Sequence, residues 1–138
     1  MRLRFQVAVV TLVLTVAAFI VAPVIWPLSP DIVISEAEVP FFIFLSLVES
    51  LSFALGISFL IFGWPLLAKQ GVLGDSLRVA MFVSVFWLLV SWWPHDNMHA
   101  AAGHDIGALL FLEYAFHFTA MVAAAIVAYG FYKLLEKG

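Results

Sequence analysis

The stretch PFFIFLSLVESLSFALGISFLIFGWPLL, residues 40–67, carries a single ionisable side chain, Glu49. A helix needs roughly 20 apolar residues, at about 1.5 Å each, to cross the hydrocarbon core of a bilayer. This run exceeds that length without a break. It cannot be a membrane β-strand, which would be about ten residues of alternating apolar and polar character.

Three further runs flank it. Residues 7–26 are apolar apart from Thr11 and Thr15, residues 77–93 begin beside Arg78, and residues 106–135 contain Glu113 and His117. The reading is an all-α integral membrane protein, a bundle of four transmembrane helices in one domain over residues 1–138. The third run is short for a span, and the second and fourth are long enough to tilt. Proline is expected to punctuate them. Pro23 and Pro27 close the first helix, Pro40 opens the second, and Pro65 and Pro94 end the second and third. Loops then cover 27–39 and 94–105.

Composition supports the same class. Apolar residues make up 65% of the chain and charged residues 11%, with a mean hydropathy of +1.13. Soluble domains run near half apolar and about a quarter charged, so a water-exposed globule and a disordered chain are both excluded. Six Lys and Arg against nine Asp and Glu exclude a nucleic-acid-binding role. The absence of cysteine removes disulfides, thiolate metal sites and Cys nucleophiles. No P-loop, dinucleotide fingerprint, H-E-x-x-H or G-x-S-x-G element occurs. Residues 1–22 have the basic start and apolar run of a secretory signal, but the run exceeds a signal core and lacks a small-x-small cleavage site, so it reads as a span.

Charge orients the chain. Arg2, Arg4, Lys69, Arg78, Lys133 and Lys137 fall on one side of a four-span layout, whereas loops 27–39 and 94–105 carry Asp31, Glu36, Glu38, Asp96 and Asp105 without a cation. The positive-inside rule then places both termini in the cytoplasm and the two loops outside. Trp26, Trp92 and Trp93 mark the outer interface and Trp64 the inner one.

The polar chemistry gathers at the outer end. All four histidines lie between positions 95 and 117, in WWPHDNMH (residues 92–99), GHD (103–105) and His117. Counted from Pro40 and Asp105, Glu49, Glu113 and His117 lie about 14, 12 and 18 Å along their helices. Glu113 and His117 stand i, i+4 and share a face that continues through the small residues Ala120, Ala124 and Ala128, so this face is expected to meet another helix and not lipid. Glu49 shares its face with Ser52, Gly56 and Gly63. If Pro94 starts a helical turn, His95 and His99 share a face too. A carboxylate in hydrocarbon must be protonated, paired or metal-bound. His, Asp and Glu together suit a transition metal: copper, iron or zinc.

The expected metal ligands are therefore Glu113 and His117, with some of Glu49, His95, Asp96 and His99. Haem or chlorophyll on His117 is an alternative. Asp105 reads as a helix N-cap, and His104, Asp31, Glu36 and Glu38 as solvated loop residues. Met98, Met121 and the phenylalanines read as packing. The function expected is that of a small accessory subunit of a larger membrane redox complex, with its metal in the outer leaflet and outer loop. A stand-alone metal-dependent membrane enzyme is one alternative. A structural bundle with a Glu–His pair or proton relay is another. The expected partners are the bilayer and other membrane subunits or a second copy of the chain.

Overall fold

The computed structural model describes residues 2–71 and 73–136; Lys137, used above for orientation, lies outside them. Among the described residues every regular element is helical. The elements are α1 (Arg2–Ile25), α2 (Val39–Phe62), α3 (Trp64–Ala68), α4 (Asp75–Val90), α5 (Trp92–Ala102), α6 (Ile106–Leu112), a π-helical turn (Glu113–His117) and α7 (Phe118–Leu135). Four stretches are long and apolar enough to span a membrane: α1, α2, the combined Asp75–Ala102 and the combined Ile106–Leu135.

Proline acts differently from the expectation. Pro23 lies inside α1, which ends at Ile25, just before Trp26 and Pro27. Gly63, and not Pro65, breaks the second span; Pro65 sits in the first turn of α3, where the missing N–H has no helical partner to lose. Pro94 does not end the third span. It occupies the first turn of α5, and the bend at Ser91 makes room for its ring while the His95 N–H still reaches the Ser91 carbonyl at 3.1 Å. The expected loop 94–105 is thus mostly helix, and only Gly103–Asp105 turns the chain. The third span consequently gains the length that the run 77–93 lacked.

That turn depends on Gly103. Its φ of 58° lies in the left-handed region, and a Cβ there would overlap the Asp31 carboxylate. Asp105 then caps α6 as expected, accepting from the Gly107 N–H at 3.0 Å and the Ala108 N–H at 3.2 Å.

α1 packs on α2, α2 on α4, and α4 on α7, with α5 resting against α2 and α6. Apolar burial specifies little in a chain whose outer face is also apolar, so small and hydroxylated residues set the interfaces. Thr11 and Ser58 hydrogen-bond across α1 and α2 at 2.8 Å, and Ser52 donates to the Leu89 carbonyl across α2 and α4 at 2.8 Å. Gly56 lets α2 approach α4 so closely that a Cβ would lie 3.0 Å from Leu89 Cβ. Gly130 lies under the Met81 side chain, and Ala123 is buried on the same face of α7. The stripe expected through Ala124 and Ala128 is exposed instead. The small residues Ala123 and Gly130 take α4, while Glu113 and His117 turn toward the histidines of α5.

The fold separates the charges by end. The Ser29 N–H bonds to the Ala100 carbonyl at 3.0 Å, and His104 bonds to Asp31, so loop 27–38 and the α5–α6 turn share one end. Arg4 borders the same groove as Phe62 and Leu66, and Arg78 donates to the Ala68 carbonyl, which places these cations together at the other end.

Candidate metal centre

Two elements deliver the polar cluster. The α5 turn places His95 and His99 one helical turn apart, and the π turn places Glu113 and His117 opposite them. Ligand atoms of His95, Glu113 and His117 all lie within 4.8 Å of one another. His99 Nε2 adds a fourth, 3.1 Å from His95 Nε2 and 3.4 Å from Glu113 Oε1. His117 Nδ1 contacts Glu113 Oε2 directly. A metal with four ligands at about 2.0–2.1 Å in tetrahedral array has ligand–ligand edges of about 3.3 Å. His99 Nε2 stands at such an edge from His95 and from Glu113, whereas the atoms that all lie within 4.8 Å of one another belong to His95, Glu113 and His117. Without a cation, the His95 and His99 nitrogens need a proton between them.

The cluster is oriented from behind. Asp96 Oδ1 lies 2.6 Å from His95 Nδ1, which leaves His95 Nε2 facing Glu113, His99 and His117. A carboxylate behind a ligating imidazole fixes its tautomer and raises its basicity. Asp96 also meets the buried Glu49 carboxyl from α2. The polar chain thus runs from Glu49 through Asp96 and His95 to Glu113 and His117, and all six sequence-derived site residues belong to it. Asp96 and Glu49 stand behind His95, whereas His95, His99, Glu113 and His117 converge.

Local sequence explains the wide turn. Thr119 Oγ1 lies 2.6 Å from the Ala115 carbonyl and 3.0 Å from that of Phe116, satisfying acceptors that a π turn presents irregularly. Trp87 Nε1 in α4 donates to Thr119 Oγ1 at 3.1 Å, and its ring stacks on Phe116 at 5.9 Å. Phe116 in turn meets the His95 ring edge at 5.2 Å. Trp87, Phe116 and Thr119 are supports that residue spacing did not reveal; a polar hydroxyl two residues beyond His117 was the available signal.

Burial is uneven. His95 is 7% exposed, whereas the Glu113 and His117 side chains are each 47% exposed on the flank of the molecule. The void between Ser91, Trp92, His95, Phe116 and His117 is about 10 Å³, near the size that holds one water. A macrocycle on His117 would therefore have to stand on the outer flank.

His104 and Asp31 are not independent loop residues. His104 donates its backbone N–H to Asp31 Oδ2 at 3.0 Å, with Nδ1 at 2.6 Å. Hydrogen bonds from Ser29 and then from His104 hold the Asp31 carboxyl well below the ordinary carboxylate range. The pair staples the two loops and lies apart from the cluster.

No family model, curated protein or solved structure matches this chain. The site is read from its own geometry.

Proposed function

We propose that this chain is a membrane-embedded metal-binding subunit, holding one transition-metal ion through His95, His99, Glu113 and His117. The supporting observation is the convergence of His95, Glu113 and His117 to within 4.8 Å, with His99 beside His95 and Glu113 and with Asp96 behind His95. Borderline nitrogen ligands with one carboxylate suit zinc, iron or copper, and do not choose among them. The metal belongs to the outer leaflet and the α5 helix above it, on the side opposite the cationic loop.

Exposure supports a place within a larger membrane assembly. Glu113 and His117 stand about 12 and 18 Å into their span, yet half of each side chain is uncovered. A carboxylate–imidazole pair facing lipid is expensive, so a neighbouring subunit or a second copy of the chain covers that flank. Both the accessory-subunit and the homo-oligomeric enzyme readings have this requirement.

Elemental analysis of untagged protein, purified in mild detergent and repeated on native membranes, tests the proposal. About one metal per chain is expected, lost in Glu113→Gln and His117→Ala. Full retention of metal by both variants overturns it. A metal-free wild type in native membranes favours a second reading, a proton relay along the Glu49–Asp96–His95 contacts.

A further inference from the structure

Toward the cationic end, two clefts meet where α1 packs against α2. One, of about 570 Å³, continues past Phe59 and Phe62 to Leu66, and the other, of about 350 Å³, follows α1 to Thr15. Arg4, Val7 and Leu55 line both. The hydroxyls in these walls already have partners. Thr11 and Ser58 share a hydrogen bond of 2.8 Å, and Thr15 donates to the Thr11 carbonyl at 2.8 Å. Apart from these groups and Arg4, both linings are apolar.

Charge and length together define an occupant. Arg4 is exposed, and among the described residues it has no hydrogen bond and no ion pair. By contrast, Arg78 pairs with Asp75, and Lys133 with Glu136. A guanidinium stays charged and presents a planar fork of donors that fits a phosphate. From Arg4 to Thr15 the second cleft follows about 16 Å of helix. One leaflet contributes about 15 Å of hydrocarbon, half of a core roughly 30 Å thick. A chain that starts beside Arg4 therefore ends with its leaflet. Two apolar clefts that share one cation match two acyl chains that share one phosphate.

We infer that this face of α1 and α2 binds one anionic diacyl phospholipid, with its phosphate on Arg4 and an acyl chain in each cleft. The inference goes beyond the metal reading and does not depend on it. It needs only that the long apolar stretches cross a bilayer. A head group with net negative charge is favoured, because the cations of the chain gather at this end.

Native mass spectrometry of the full chain, released from a neutral detergent, tests it by counting the lipids retained. Phosphatidylglycerol, phosphatidylcholine with the same acyl chains, and single-chain lysophosphatidylglycerol are titrated in turn. One phosphatidylglycerol per chain is expected to bind saturably, with phosphatidylcholine about tenfold weaker and the lysolipid severalfold weaker. Arg4→Gln is expected to bring phosphatidylglycerol down to the level of phosphatidylcholine. Lys133→Gln removes the same charge from the same end and is expected to change nothing. Val7→Trp fills the wall common to both clefts and is expected to weaken binding although Arg4 remains. Thermal unfolding in lipid-free detergent checks that the variants fold, and exposed Arg4 carries the test if Val7→Trp does not. Undiminished binding in Arg4→Gln overturns the inference, as does an equal loss in Lys133→Gln, which would mean a diffuse charge effect. Phosphatidylcholine as tight as phosphatidylglycerol, or a lysolipid as tight as the diacyl form, overturns it too.

Discussion

At the residue scale, the arrangement separates groups that converge from groups that orient them. His95 is buried and carries Asp96 on Nδ1, so its Nε2 is the atom left for a ligand. Asp96→Asn preserves the shape but replaces a carboxylate by an amide behind the imidazole. Metal affinity is expected to fall about 10- to 100-fold, the usual cost of such a partner, with the helices intact. Competition with a calibrated chelator checks this; unchanged affinity would mean that Asp96 serves Glu49 alone. Asp31 is a residue of another kind. Ser29 and His104 hold its carboxyl below its ordinary value near 4. A depressed carboxylate adds to the loop staple above that ordinary value and loses the contribution as pH falls below it through the folded value. Protection of the His104 N–H, relative to its intrinsic exchange at each pH, is therefore expected to be high at pH 5, to fall progressively below about pH 4, and to be low at both in Asp31→Asn. The same exchange rate in variant and wild type would remove the staple.

At the element scale, close helix approach and the π turn set where the site stands. A leucine at Gly56 would meet Leu89 Cβ and the Val90 backbone, which a rotamer change cannot clear. Gly56→Leu is expected to destabilise the chain by about 1–3 kcal/mol, as overpacked cores do, and to separate α2 from α4. Thermal unfolding in detergent reads the loss; a melting point equal to that of wild type would show that α2 and α4 do not meet there. Trp87→Phe acts at longer reach. It removes the N–H that holds Thr119 yet keeps a ring against Phe116. Metal content is expected to fall while thermal stability changes little, because the indole positions the turn that carries Glu113 and His117 without touching either.

At the scale of the whole molecule, four helical stretches long enough to span a membrane bring Arg4 and Lys133 to the cationic end, opposite the histidines. The chain contains no cysteine, so single substitutions can be labelled without background. Glu36→Cys is expected to react with an impermeant maleimide in intact cells, and Lys69→Cys only after permeabilisation. The reverse pattern would invert the orientation that the charge asymmetry assigns. The half-open flank at Glu113 and His117 carries a further expectation: isolation in mild detergent should retain a partner or a second copy, and cross-linking from that flank should capture it.

Much of this was legible in residue order because the physics concerned is local or additive. Span length, the clustering of cations, the Asp105 cap and the i, i+4 pairs of His95–His99 and Glu113–His117 follow from helical rise, solvation and capping. Proline was less readable, since Pro65 and Pro94 open helices where they were expected to close them. Whether a proline ends a helix depends on where the chain bends, and Gly63 and Ser91 decided that. The facing of α7 was read wrongly, since Ala123 and Gly130, and not Ala124 and Ala128, are buried: an amphipathic stripe carries little signal when lipid and protein interior are both apolar. Tertiary structure alone decided that α5 sets His95 and His99 against the π turn and that Asp96 and Glu49 stand behind. Those facts depend on the distance between helices, and that distance is set by Gly56, Gly130 and a few interhelical hydrogen bonds whose partners lie far apart in sequence.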